Sequence, residues 1–288
     1  MATPLSHFSS LAKPTPGVPL PPHCLMTVAM PQQSHQSYWA AIEADIDAHL
    51  KKTVTVRPPA TVFEPMHHLV FAHHRTKAPA LCLAACELVG GDRTQAATVA
   101  AASALHLVHA AARTHEHLQL SGETQPDPHT SHAYGPNIEL LTGDGIVPFA
   151  LELLARSVDP ARKDSDRVLR AIVEITRAIG PQGFIGGRYK EIKGKEQSAA
   201  HAWEKKEGEL HACGAACGAI LGGASEEEIE RLRAYGLYVG MIHEIIARGD
   251  DEERTAEMRQ LALKQLYGLH GREIEPLASL VEANLRVS

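Results

Sequence analysis

No stretch of this 288-residue chain approaches the roughly 18 to 20 uninterrupted apolar residues that a bilayer core demands, because His, Arg or Glu interrupts every candidate. A membrane-spanning helix is excluded on that count, and a soluble protein is expected. Cysteine is scarce: Cys24, Cys82, Cys86, Cys213 and Cys217 are too few and too oddly spaced for a secreted disulfide framework, so reduced thiols are expected. Basic charge is not in surplus. With 28 Lys and Arg against 34 Asp and Glu, the formal net charge is −6 and no phosphate-neutralising face exists, which excludes DNA and RNA as expected partners. Aromatics are only 5% of the residues, yet the 44% hydrophobic content is far above that of a disordered solvating segment. Acid is missing from the N-terminus, where the first Asp or Glu is Glu43. Residues 1–33, rich in Ser, Thr and Pro, therefore read as an organelle transit peptide. Because Lys13 is their one Lys or Arg, a Pro-rich disordered arm stays open as the alternative.

Beyond the arm the signal is helical and strand patterns are nearly absent. In the stretch 37–52, Trp39, Ile42, Ile46 and Leu50 recur at spacings of three and four, one apolar stripe with acids opposite. PALCLAACELVGG is a helix closed by a Gly pair, and Asp92 is expected to cap the long Ala-rich segment that follows. Further helices are expected at about 138–156, 164–179, 198–222, 225–247, 251–268 and 272–286, with breaks at 180–187 and at Gly222-Gly223. No fixed repeat and no interior linker divides the chain, so residues 34–288 are expected to form one all-α bundle.

The 18 histidines invite a metal reading, but His67-His68, His73-His74 and His115-x-His117 lack the helical spacing and third ligand of a zinc site. Gly183-x2-Gly186-Gly187 has neither the preceding strand nor the Lys-Ser/Thr ending of a phosphate loop and reads as a bend between helices. The acidic run 250–253 reads as a helix start, with Gly249 ending one helix, Asp250 at the cap and Glu253 completing a capping box.

Cys82-x3-Cys86 and Cys213-x3-Cys217 share one spacing on two helices, and each pair places both thiols on one helix face. Three readings are open: a four-thiolate zinc site, a redox switch, or close packing with Cys as a small hydrophobe. ACGAACGAILGG favours close packing, within the chain or against a partner.

LCLAACELVGG at 81–91, LLTGDGIVPFALELLA at 140–155 and CGAILGGASEEEIERLR at 217–233 resemble the corresponding helices of plant geranylgeranyl diphosphate synthases. The similarity runs in order from about 35 to 268 and implies an all-α trans-prenyltransferase-like fold. That family elongates allylic diphosphates with isopentenyl diphosphate, using two Asp-rich motifs that bind magnesium.

The departures fall on those motifs. The first would follow an Ile-His pair at the end of the long helix; here the stretch reads Thr114-His115-Glu116-His117-Leu118-Gln119, and no Asp appears until Asp127. At the second, Ala247 and Arg248 stand where paired aspartates belong. A lone Glu116 beside His117 cannot replace an array of hard oxygen ligands, and the fixed charge of Arg248 repels a cation. Asp250 and Asp251 lie almost a full turn late. The isopentenyl diphosphate pocket is eroded too. The family's Gly-Lys-x-x-Arg-Pro becomes His74-Arg75-Thr76-Lys77-Ala78-Pro79, its Lys-Thr becomes Lys206-Glu207, and its Gln after the Gly pair becomes Arg188. Arg75 and Lys206 are candidates for a residual diphosphate contact, with a solvated charged face over 188–193 as the alternative.

A chain that keeps this core and loses its metal ligands resembles one branch, the small subunits of plant heterodimeric geranyl or geranylgeranyl diphosphate synthases. The resemblance implies a non-catalytic regulatory subunit of plastid isoprenoid biosynthesis. It would bind a catalytic large subunit and alter the rate or product length, hold no cofactor itself and leave magnesium to its partner. Both Cys-x3-Cys motifs belong to that branch's signature and imply partner-binding roles for Cys82, Cys86, Cys213 and Cys217. A weakly active prenyltransferase using Asp127, Asp250 and Asp251, or a cysteine-based zinc or redox module, are the alternatives.

Overall fold

The computed structural model describes residues 32–72, 76–118, 133–193, 204–249 and 251–282. The N-terminal arm to residue 31, Arg75, Asp127 and Asp250 lie outside the described residues, as do the expected helical stretches 198–203 and 283–286.

Eleven α-helices and one π-helical turn are described, and the described residues contain no strand. They are α1 (Gln32–Thr53), α2 (Ala60–Ala72), α3 (Ala78–Leu88), α4 (Ala96–His117), α5 (Pro136–Ala155), α6 (Ser165–Ile179) and α7 (Phe184–Ile192). The π turn (Glu204–Gly208) follows, and then α8 (Glu209–Gly222), α9 (Glu226–Ala247), α10 (Glu252–Tyr267) and α11 (Glu275–Glu282). The α1 stripe faces inward, with Ile42, Ile46 and Leu50 buried and Trp39 packed at its edge.

Helices α3, α4, α8 and α9 form the centre. α8 is apolar all round and is buried from Leu210 to Leu221, as expected of a helix with no polar face to turn to water. Its glycines allow this. Gly214 and Gly218 ride on the α3 backbone, where an added Cβ would lie 2.3 Å from the Ala78 carbonyl oxygen and 2.0 Å from that of Cys82. A second rail on α9 does the same: a Cβ at Gly236 or Gly240 would lie 2.4 Å from the carbonyl oxygens of His211 and Glu207 respectively. Backbones this close exclude side chains larger than hydrogen at the crossing.

Outer helices are tied on by polar groups. Arg233 forms a two-pronged pair with Glu174 at 2.8 Å, joining α9 to α6, and Tyr235, fully buried, donates its hydroxyl to the Leu277 carbonyl at 2.7 Å. Ser225 and Glu228 build a reciprocal capping box that starts α9.

Three local expectations are corrected. Asp92 does not cap α4; its carboxylate accepts from the Thr94 amide and hydroxyl at 2.9 and 2.6 Å, closing a separate turn so that the helix starts at Ala96. α10 is capped by Asp251, one residue later than expected, which accepts from the Arg254 amide at 3.0 Å. Gly186 and Gly187 lie inside α7 rather than in the bend, which Gly183 makes beneath the Ala178 carbonyl.

Candidate functional site

The four paired cysteines meet at the α3–α8 crossing. Cys82, Cys86 and Cys217 are fully buried and Cys213 is 2% exposed, so the described fold packs all four inside this one chain. Cys213 and Cys217 sulfurs are 3.8 Å apart, and Cys217 lies 3.7 Å from the Ala171 carbonyl. Burial, then the neighbouring Cys217 and Cys86, push the Cys82 thiol up. The Cys217 sulfur and then burial do the same for Cys213, and burial outweighs a contact from Thr98 at Cys86. Thiols buried in apolar surroundings are poor nucleophiles and poor metal ligands, and the packing here is that of small hydrophobes beside the glycine rail.

The residues at the altered metal motifs come together in an ion-pair network. Glu116, in the last turn of α4, pairs with Arg113 at 2.6 Å and with the Lys206 ammonium. Lys206 reaches it from the π turn, is 8% exposed at its side chain, and also pairs with Glu191 of α7 at 3.0 Å. Glu191 gathers Arg188 at 2.8 Å and Arg248 at 3.6 Å, and Arg248 turns back to Glu244 at 2.5 Å. Burial pushes the Glu191 carboxyl up, but Arg188 and Lys206 outweigh it and the net direction is down. Arg188, partly exposed, also reaches toward the Glu116 carbonyl, while Lys190 and Lys193 of the same basic run are exposed. His117 folds back to the Arg113 carbonyl at 2.7 Å, and Ala247 is exposed.

Behind Lys206 lies a second polar cluster. Glu207 is buried between His109 of α4 at 3.7 Å and His211 of α8 at 3.8 Å, with the His243 ring of α9 5.9 Å from that of His211. His211 is fixed at both nitrogens, Nδ1 by the Glu207 carbonyl at 2.7 Å and Nε2 by the Thr76 hydroxyl at 3.4 Å. Burial alone would push the Glu207 carboxyl up; the contact to His109 and the nearby His211 and His243 reverse this and hold it well below the carboxylate range. Burial lowers His211 to about 4 and lowers His243 as well. The π turn makes both clusters possible, since its extra residue per turn lets the adjacent Lys206 and Glu207 both point inward. Sequence reading marked the changed Lys206-Glu207 pair but not Arg113, Glu191, Glu244 or the histidines that answer it; only the alternation of basic and acidic residues in α7 hinted at Glu191.

Divalent magnesium needs several unpaired oxygen ligands. Glu116 and Glu191 are each claimed by two or more cations of the chain itself, and the described residues contain no group of three or more His, Cys, Asp or Glu able to hold a metal. The residues at this site do not fit the ion.

The chain superposes on the geranyl diphosphate synthase small subunit of Antirrhinum majus with a TM-score of 0.80 and 50% identity, over 86% of this chain and 98% of that one. A deletion mutant of the heterotetrameric geranyl pyrophosphate synthase of mint, solved with ligands, matches with a TM-score of 0.76 and 55% identity over 85% and 99%. The all-α fold is thus that of the isoprenyl diphosphate synthases. The heterodimeric geranylgeranyl pyrophosphate synthase small subunit 2, chloroplastic, of Cannabis sativa is 51% identical over 280 residues, 90% of this chain and 97% of the relative. The chain belongs to the family of heterodimeric geranylgeranyl pyrophosphate synthase small subunits. No protein-family model matches it. Among the described residues no helix is long and apolar enough to cross a membrane.

Proposed function

We propose that this chain is the non-catalytic, regulatory small subunit of a chloroplastic prenyl diphosphate synthase. It pairs with a catalytic geranylgeranyl diphosphate synthase and changes that enzyme's rate or the length of its product between ten and twenty carbons. The observation that carries the reading is the ion-pair network. Where the resemblance places the first magnesium platform, Lys206 sits on Glu116, and where it places the second, Arg248 stands and reaches Glu191 of α7, which Lys206 and Arg188 also hold. Loss of pyrophosphate from an allylic diphosphate develops several negative charges that metal ions must neutralise, and a carboxylate pair already neutralised by the protein cannot recruit them. No cofactor is assigned to this chain; magnesium belongs to the partner. Its influence is a coupling free energy exerted through contact, in which docking favours one state of the catalytic subunit over another.

The cysteines enter this reading indirectly. Being buried within the chain, they set how closely α3 and α8 approach and hence the outer contour that a partner meets. The alternatives gain no such support, since Asp251 is occupied as a helix cap and burial disfavours the thiolate forms of Cys82 and Cys213 that a metal or redox role would use.

The test is an assay of a catalytic geranylgeranyl diphosphate synthase from the same source with magnesium and isopentenyl diphosphate, with and without this chain, and of this chain alone. A changed rate or chain length in the mixture, with no product from the lone chain, is the expected result. Turnover by the lone chain, or a mixture identical to the catalytic subunit, would overturn it.

A further inference from the structure

In a metal-dependent site, ions do two things: they neutralise the ligand, and they bridge carboxylates on separate helices and so hold those helices together. The chain lacks the ligands for the first task but not the means for the second. Lys206 lies between Glu116 at the end of α4 and Glu191 near the end of α7, and its ammonium is also 5.7 Å over the Phe184 ring at the start of α7. Arg248 at the end of α9 reaches the other oxygen of Glu191, and Arg188 of α7 reaches back toward the Glu116 carbonyl. Three segments, α4, α7 and the π turn, meet at this one buried cation, and α9 joins them through Arg248 on Glu191. Glu116 and Lys206 are 7% and 8% exposed at their side chains, so water screens their attraction little.

We propose that Lys206 is a built-in cation that clasps α7 onto the end of α4, with Arg248 extending the link from α7 to α9, without any bound ion or diphosphate. Among the described residues α7 is otherwise thinly packed. It is nine residues long, only Phe184 and Gly187 of it are buried, and Ile185, Tyr189 and Ile192 face outward. A segment this short and this thinly packed belongs at the low-stability end of the molecule unless something pins it. The clasp is made by the chain's own charges, so α7 is held in place before any ligand arrives. This extends the regulatory reading, but its test needs no partner, so a failed clasp and a failed docking are separately visible.

The experiment is hydrogen exchange and thermal unfolding of the full chain and of Lys206→Met. The unmodified chain should unfold at the same temperature with excess magnesium chloride, with magnesium plus inorganic diphosphate, or with a chelator. In Lys206→Met the melting temperature should fall by roughly 5–10 °C, because the variant leaves the buried Glu116 carboxylate and the half-buried Glu191 less neutralised. Exchange in residues 184–192 should accelerate about tenfold or more while α3 and α8 keep their protection. The double variant Lys206→Met/Glu116→Gln should lose less than the sum of the two single losses, since it removes the cation and its carboxylate together. If Lys206→Met does not fold, Glu191→Gln reads the same local exchange from a less buried partner. Unchanged exchange in α7, additive losses, or stabilisation of the unmodified chain by magnesium would each overturn the clasp.

Discussion

Gly218→Ala is the most demanding probe of the central packing. A Cβ built on Gly218 lies 2.0 Å from the Cys82 carbonyl oxygen, 2.8 Å from its carbon and 3.0 Å from its Cα, whereas ordinary contact begins at 3.4 Å. All three atoms are backbone inside α3, so no side chain can swing away, and the two helices must part by more than an ångström. In an isolated helix the same change would stabilise by about 1 kcal/mol. Here overpacking costs about 1–3 kcal/mol or more, and the separation opens gaps beside Leu81 and Leu83, both fully buried. A net loss of about 2–3 kcal/mol is expected, a fall in melting temperature of roughly 5–12 °C for a domain of this size. The control is Gly145→Ala in α5, where an added Cβ meets nothing within 4 Å and the change should be neutral or stabilising by up to about 1 kcal/mol. Thermal and urea unfolding followed by far-ultraviolet circular dichroism measures both. If Gly218→Ala is as stable as Gly145→Ala, α3 and α8 do not touch as described.

The paired cysteines make a second case. Replacing one Cys of each pair by Ser, as in Cys82→Ser/Cys213→Ser, buries hydroxyls in a tight crossing, and should weaken binding to the catalytic subunit by several-fold in titration calorimetry; unchanged affinity would remove these residues from the docking account. Acid should destabilise the isolated chain. His211 has a folded value of about 4 against an ordinary 6.5, so between those limits the unfolded chain binds the extra proton and stability falls as pH drops, by about 3 kcal/mol in all. Glu207 adds to the same trend below the ordinary carboxylate value, because its folded carboxyl stays ionised while the unfolded one protonates. Urea midpoints from pH 7.5 to 4.5 check this, and a flat profile would mean that the His109–Glu207–His211–His243 cluster is not closed to water.

Much of this molecule is written in local sequence. The stripe of Ile42, Ile46 and Leu50, the Gly222-Gly223 stop and the break after Ile179 mark helices because amphipathic period and capping chemistry depend on residues within a turn or two of each other. The replacement of acidic ligands by Glu116, Ala247 and Arg248 is equally visible, as it needs only a residue's identity and its place in the resemblance. Where a single cap falls is less so: Asp92 spends its carboxylate on a turn with Thr94 and α4 starts at Ala96, while Asp251 caps α10. What only the tertiary structure decided is which distant groups meet. Nothing in the chain order joins Lys206 to Glu116 and Glu191, or brings Glu207 among three histidines; four helix ends and a π turn must first converge. The same holds for the cysteines, whose spacing fits an interface inside the chain as well as one outside it, until the glycine rail of α8 closes on α3. Helix periodicity is a short-range property, whereas the partner of a buried charge is chosen by packing, and packing is known only when the whole bundle is assembled.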